Sequence, residues 1–111
     1  GKAVLETQKD ILKSGIPGPI LGHVGDGNFH AILLVDPEDP KEMKAAKAVA
    51  NKMANLAISL GGTCTGEHGV GIGKLDFMPE QLGHAWNVMG NIKEALDPSN
   101  IMNPGKLVKK N

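Results

Sequence analysis

Aromatic residues and cysteine are the scarcest side chains in this sequence. Its 111 residues include two phenylalanines, one tryptophan and no tyrosine, against 15 glycines and 7 prolines. So few aromatic residues and so many turn residues provide little side-chain volume for a hydrophobic core. We therefore expect the chain to be a piece of a larger protein. The single cysteine, Cys64, excludes an internal disulfide and favours a cytosolic or organellar compartment over secretion.

Net charge and long hydrophobic runs are missing as well. Twelve basic residues balance twelve acidic ones, so no net field recruits nucleic acid or an anionic membrane surface. No apolar run approaches the roughly 20 residues of a membrane-spanning helix, and the first residues lack the pattern of a signal peptide. The sequence therefore predicts no nucleic-acid partner, no membrane span, and a cytoplasmic location, or the mitochondrial matrix for a eukaryotic source.

Two histidines flank a glycine-rich turn in the segment Gly22–His30. If residues 25–28 form the turn of a β-hairpin, His23 lies directly opposite His30, with Cβ atoms roughly 4.5–5.5 Å apart. Two neutral imidazoles at that separation can share one divalent metal ion, such as zinc. The alternative is a hairpin whose histidines bond only the backbone or water. A shared metal ion needs a third protein ligand.

The best candidate for that ligand lies in a second glycine-rich segment, Thr65–Lys74, which contains Glu67 and His68. In an extended chain adjacent side chains point apart, so the two residues can serve one pocket only in different roles. Their chemistry favours Glu67 as a metal ligand and His68 as a general base, because imidazole titrates near physiological pH. Three protein ligands with an open position are typical of a catalytic metal site.

The first part of the chain has the pattern of a helix followed by a hairpin. Apolar residues at helical spacing predict a helix over 2–14, which Gly15 and the following prolines end. Strands are predicted at 20–24 and 29–35, and the second is apolar on both faces, as in a strand covered on both sides.

The second part has the pattern of further helices. Asp39, followed directly by proline, begins a helix whose apolar stripe ends at Leu60. Pro79 begins another helix that ends near Leu96, and residues 101–107 are predicted to form an ordered turn. We therefore predict an α+β fold: an antiparallel β-hairpin of a sheet covered by helices, with a helical C-terminal tail.

Three motifs resemble the C-terminal region of one enzyme family. They are Gly22–His30, Gly62–Gly71, and Leu96–Pro98 together with Ile101–Lys106. In order and spacing they are similar to the flavin-linked oxidases of the vanillyl-alcohol oxidase type, in particular the D-lactate and 2-hydroxy-acid dehydrogenases. The resemblance covers about residues 20–108, and three long motifs in register are highly specific.

This resemblance implies a set of site residues. His23, His30 and Glu67 are expected to bind a divalent metal ion, zinc or manganese, and His68 is expected to take the proton of the substrate hydroxyl. The hydride would pass to FAD, and Asn103 is expected to lie near the flavin ring. The implied function is metal-assisted oxidation of a D-2-hydroxy acid.

The resemblance also implies a division of the chain and a substrate size. Residues 1–65 would be the end of a substrate (cap) domain, and residues 66–111 a glycine loop and helical tail that return to an FAD domain. That domain, which would bind most of the FAD, lies outside these residues, so the chain alone is expected to be inactive. The family's 2-hydroxyglutarate members carry an asparagine where this chain has Ile32, which favours a small substrate such as D-lactate.

Two interpretations outside this family stay open. The chain could be a non-catalytic metal-binding or assembly module, which docks on a partner and binds no flavin. It could also be a metallohydrolase that uses metal-bound water on esters or amides. Besides the substrate and the FAD domain, a second copy of the chain, forming a homodimer, is a candidate partner.

Overall fold

The computed structural model describes residues 1–108, so the last three residues of the predicted tail lie outside the described part. Within that part, four α-helices and one two-stranded antiparallel sheet confirm the predicted α+β class. In chain order the elements are α1 (Lys2–Ser14), β1 (Ile20–Leu21), β2 (His30–Ala31), α2 (Pro40–Ser59), α3 (Met78–Leu82) and α4 (His84–Leu96). None of the helices described is long and apolar enough to cross a membrane.

The backbone divides into two compact units. The N-terminal unit comprises residues 1–61, and the C-terminal unit begins at Gly62. The roles predicted for residues 1–65 and 66–111, a substrate-domain end and a tail that returns to an FAD domain, stay predictions.

Helix packing forms the interior of the N-terminal unit. Helix α1 has the predicted bounds and ends where Gly15 adopts a left-handed conformation, with φ of 73°. It packs against α2, and Lys52 of α2 donates to the Asp10 carboxylate of α1 at 2.5 Å. The buried apolar side chains of this unit are Ile11, Ile16, Val49 and Ala54.

Helix α2 begins as predicted. The Asp39 carboxylate accepts the backbone N–H of Lys41 at 2.8 Å and of Glu42 at 3.4 Å, so it caps two N–H groups that have no partner within the helix. The Glu42 side chain accepts the N–H of Asp36 at 2.8 Å. Glu42 therefore ties the end of the hairpin's second arm to the first turn of α2.

The hairpin strands are shorter than predicted at both ends: residues 24–26 form a turn of 3₁₀-helix at one end, and prolines face the second arm at the other. The Pro17 and Pro19 carbonyls accept the N–H groups of Leu34, at 2.9 Å, and Ile32, at 3.0 Å. Neither proline has an N–H to donate in return, so the ladder beyond β1 has single hydrogen bonds. The predicted arms 20–24 and 29–35 are thus reduced to two paired residues each.

One face of the hairpin is exposed, so the prediction of a strand covered on both sides is wrong for the described residues. Leu21, Ile32 and Leu34 are 49%, 46% and 55% exposed. On the other face Gly18 has no side chain, and a Cβ placed there would lie 2.9 Å from Leu33 and 3.0 Å from Ile11. Helix α1 therefore covers one face, and an apolar sequence pattern alone does not show which faces are covered.

The helix predicted from Pro79 to Leu96 is broken into α3 and α4, which corrects that prediction. Gly83 separates the two helices with φ of 54° and ψ of −130°, a conformation that side chains disfavour. The buried apolar residues of this unit are Cys64, Leu75, Met78 and Val108. The break lets the chain turn between α3 and α4.

A buried carboxylate holds the turn that follows α4. Asp97 is 6% exposed and accepts the backbone N–H groups of Ile101 at 3.0 Å and Met102 at 2.9 Å. Lys93, one helical turn earlier, donates both to this carboxylate and to the Met102 carbonyl. The predicted ordered turn is therefore present, and an ion pair fixes it.

Candidate active site

The two hairpin histidines are not directly opposite each other. The observed register pairs Leu21 with His30, whereas the predicted register paired His23 with His30. The connection is longer than the predicted turn because Val24–Asp26 forms a turn of 3₁₀-helix and Gly27 is left-handed, with φ of 77°. The predicted His23–His30 cross-strand pair is therefore wrong.

His23 instead anchors the connection through its carbonyl group. This oxygen accepts the N–H groups of Asp26 at 2.9 Å and Asn28 at 3.2 Å. His23 thus lies beside Asn28, two positions from His30 along the opposing arm, and diagonal positions in an antiparallel pair are roughly 7–8 Å apart. His23 is exposed and His30 half-buried.

The donor chemistry of the predicted ligands fits a divalent metal ion. Imidazole and carboxylate groups suit zinc and manganese. His23 and His30 lie in the N-terminal unit, and Glu67 lies in the C-terminal unit, with 53% of its side chain exposed. Assembly of these three residues around one ion stays a prediction.

Glu67 and His68 lie together in a bent loop rather than in an extended chain. The Glu67 Oε1 and His68 Nε2 atoms are 3.6 Å apart. The Thr65 hydroxyl donates to the Gly69 carbonyl at 3.0 Å and closes the loop around the pair. The loop is not extended here, so the two side chains do not point apart as they would in an extended chain.

The glycine loop is joined to the tail of the same unit. The Leu107 N–H donates to the Gly71 carbonyl at 2.9 Å, and the Leu107 carbonyl accepts the indole N–H of Trp86 at 2.9 Å. Leu107 adopts a left-handed conformation, with φ of 62°. These two hydrogen bonds hold the end of the tail beside the loop that carries Glu67 and His68.

Asn103 lies on a surface cleft of about 460 Å³ between α4 and the tail. The cleft is largely apolar, and Lys106 and the Lys93–Asp97 pair also line it. Sequence reasoning missed these three charged residues. The four-residue spacing of Lys93 and Asp97 was an available signal, because such a pair meets on one face of a helix end.

The single cysteine is a packed side chain, as the sequence predicts. Cys64 is 7% exposed, and burial raises the pKa of its thiol, although the positive charge of Lys74 opposes the shift. Its backbone N–H donates to the Gln81 side chain at 2.8 Å. A thiol with a raised pKa is a poor nucleophile at neutral pH.

Comparison with known proteins places these motifs in context. A family model described as FAD linked oxidases, C-terminal domain, matches residues 2–107. The probable D-lactate dehydrogenase, mitochondrial, of Danio rerio is 45% identical over 106 residues, which are 95% of this chain and 21% of that protein. The D-lactate dehydrogenase (cytochrome) 1, mitochondrial, of Saccharomyces cerevisiae is 45% identical over 109 residues, 97% of this chain and 18% of that protein.

A bacterial relative is named for a different substrate. The glycolate oxidase subunit GlcD of Bacillus subtilis is 41% identical over 90 residues, 80% of this chain and 19% of that protein. The chain thus spans about a fifth of the length of these curated relatives.

Proposed function

The chain belongs to the family of FAD linked oxidases, C-terminal domain, and from that premise we propose that it supplies the acid–base and metal-ligating residues of a D-lactate dehydrogenase. The observation that carries this proposal is the 45% identity to two D-lactate dehydrogenases across nearly the whole chain. FAD would be bound mainly by residues outside this chain. Asn103, on the apolar cleft, would contribute from this side.

His68 is proposed to act as the general base. Oxidation of a 2-hydroxy acid to a 2-keto acid removes one proton from the hydroxyl oxygen and one hydride from C2. FAD, when bound, accepts the hydride. The His68 imidazole would take the proton, and the Glu67 carboxylate 3.6 Å away would stabilise the imidazolium that results.

His23, His30 and Glu67 are proposed to hold a divalent metal ion, with zinc and manganese as candidates. Such an ion supplies Lewis-acid polarisation of the substrate hydroxyl. The donor chemistry and the accessibility of these side chains support the assignment. Glu67 would then serve both the ion and His68, because a carboxylate has two oxygens.

A small substrate is proposed because the hairpin face next to His30 is apolar. Ile32 follows His30 on the same face of the arm and is 46% exposed. An isoleucine offers no polar group to a second carboxylate, which disfavours dicarboxylic hydroxy acids. D-Lactate fits this surface, and glycolate is the competing small substrate, because one relative is a glycolate oxidase subunit. For a eukaryotic source, the mitochondrial location of the zebrafish and yeast relatives favours the mitochondrion over the cytoplasm.

The experiment compares His68→Ala and Glu67→Ala in the longer protein that contains this chain. We expect His68→Ala to lower D-lactate turnover by about 10²–10⁴, the usual effect of removing a general base, with its metal content unchanged. Glu67→Ala, by contrast, should lose the metal ion. His84→Ala is the matched control, because this exposed histidine begins α4 and has no assigned role.

Three outcomes would contradict the proposal. Purified protein without flavin absorbance would favour the metal-binding or assembly module. Flavin-independent cleavage of esters or amides would favour a metallohydrolase. If His68→Ala lost the metal ion and Glu67→Ala kept it, the roles of the two residues would be reversed.

A further inference from the structure

Gly22 lies at the crossing of the two hairpin arms, a point where their backbones approach closely. Its φ is 145°, and a Cβ built on it would lie 2.7 Å from the Asn28 carbonyl oxygen and 2.7 Å from the Phe29 Cα. Both are backbone atoms, which cannot rotate away as the end of a side chain can. Any side chain at position 22 must therefore push the two arms apart.

Such a separation would displace the two histidines, because each directly follows one of the residues in this close approach. His23 directly follows Gly22, and His30 directly follows Phe29. The His23 carbonyl is also held by the Asn28 N–H at 3.2 Å. A shift between the arms at this crossing consequently changes the distance between the two imidazoles.

We infer that Gly22 is a positioning residue that sets the separation of His23 and His30 for one divalent cation. The inference rests on the metal site of the proposed function. Gly22 contacts neither the ion nor the substrate, and acts through the two ligands that flank the crossing.

The same connection contains two glycines that serve as controls. Gly25 has no positive φ, and a Cβ there would meet nothing within 4 Å. Gly27 has φ of 77° and equally open space. Gly25→Ala therefore changes neither strain nor contacts, and Gly27→Ala adds backbone strain without a collision.

The test titrates Co²⁺ and Zn²⁺ into the full 111-residue chain and its three alanine variants. Co²⁺ is followed by its visible absorption, which reports ligand geometry, and Zn²⁺ by competition with a chelating dye. We expect Gly22→Ala to weaken metal binding by about 10- to 100-fold, the usual effect of disturbing residues that orient metal ligands. Its Co²⁺ spectrum should also change, whereas Gly25→Ala should match the unsubstituted chain.

Thermal unfolding without metal separates positioning from a loss of structure. We expect both Gly22→Ala and Gly27→Ala to be less stable than the unsubstituted chain and still to fold. Gly27→Ala should nevertheless keep its metal affinity. Metal binding by Gly22→Ala equal to that of the unsubstituted chain would overturn the inference alone. A Gly22→Ala chain that cannot fold, or a Gly27→Ala chain with the same loss of affinity, would overturn it too, because the effect would follow stability. An unsubstituted chain that binds neither metal would overturn the proposed metal site and, with it, this inference.

Discussion

The two compact units are stabilised in different ways. The N-terminal unit relies on packing between α1 and α2, two helices of 13 and 20 residues that bury the apolar side chains of Ile11, Val49 and Ala54 together with the polar Thr7. The C-terminal unit has helices of 5 and 13 residues. Side-chain hydrogen bonds fix its loops, from the backbone of the tail to Asp97 and from Trp86 to Leu107. Glu67, His68 and Asn103 therefore lie in the unit whose loops are fixed by side-chain hydrogen bonds.

Both units leave large apolar side chains exposed, among them Leu12 and Leu34 in the N-terminal unit. In the C-terminal unit Val88, Ile92 and Leu96 recur every four residues on α4 and are 56%, 55% and 76% exposed. Ile101 and Met102 of the tail are 79% and 65% exposed. Since these side chains bury little area, they contribute little hydrophobic stabilisation to this unit.

The largest effect is expected from breaking the packing of the N-terminal unit. Ile11→Ala removes a side chain that is 6% exposed and should lower the free energy of unfolding by about 2–5 kcal/mol. Leu12→Ala, at the neighbouring position that is 82% exposed, should change it by less than about 0.5 kcal/mol. Urea unfolding followed by circular dichroism measures both. Equal effects would show that packing does not dominate this unit.

The next effect is expected from the carboxylate of the C-terminal unit. Asp97→Ala removes the acceptor for two backbone N–H groups and the partner of Lys93. We expect the melting temperature to fall by roughly 5–10 °C, because the donors left behind lose their hydrogen bonds. Glu94→Ala, at an exposed position of α4, is the control. A change no larger than in this control would mean that Asp97 does not fix the tail.

The response to acid tests this comparison, because among the described residues only the C-terminal unit contains a carboxyl group with a strongly lowered pKa. The hydrogen bond from Lys93, aided by the backbone N–H groups of Met102 and Ile101, lowers the pKa of Asp97 from 3.8 to about 2. A folded-state pKa below the unfolded value contributes stability above pH 3.8, and that stability is lost as pH falls toward 2. Between pH 5 and 2 the melting temperature of the unsubstituted chain should therefore fall more steeply with decreasing pH than the melting temperature of Asp97→Asn. Equal slopes of melting temperature against pH for the two chains would contradict this expectation.

The smallest effect is expected at the cap of α2. Asp39→Ala leaves the N–H groups of Lys41 and Glu42 without their acceptor and should lower the free energy of unfolding by about 1 kcal/mol. Asp39→Ser keeps an acceptor and should recover most of the loss. Urea midpoints give both values, and a serine variant as unstable as the alanine variant would argue against capping.

The helices of the N-terminal unit could be predicted because their signals are local. Asp39 caps the N–H groups two and three residues ahead, and Gly15 ends α1 within one residue of the helix. The break in the last predicted helix could not be found in this way. Gly83 interrupts the predicted helix, whereas Gly90 lies inside α4. Both glycines lie in one segment whose apolar residues recur at helical spacing. Only tertiary structure distinguishes them.

The candidate site shows the same limit. A glycine-rich turn identified His23 and His30, but the sequence does not fix turn length, and a 3₁₀ turn changed the register. Glu67 and His68 were found from their residue types, whereas their 3.6 Å approach depends on the bend of the loop. The buried role of Asp97 depends on N–H groups that only folding brings to it.

The Leu107 amide reports on the separation of the tail from the glycine loop in the C-terminal unit. Its left-handed backbone costs roughly 1–2 kcal/mol for a residue with a Cβ, so the hydrogen bonds to Gly71 and Trp86 must hold it in place. Its amide hydrogen, bonded to the Gly71 carbonyl, can exchange with deuterium from the solvent only when tail and glycine loop separate. The exchange rate of this one amide therefore measures how often the loop that carries Glu67 and His68 is released.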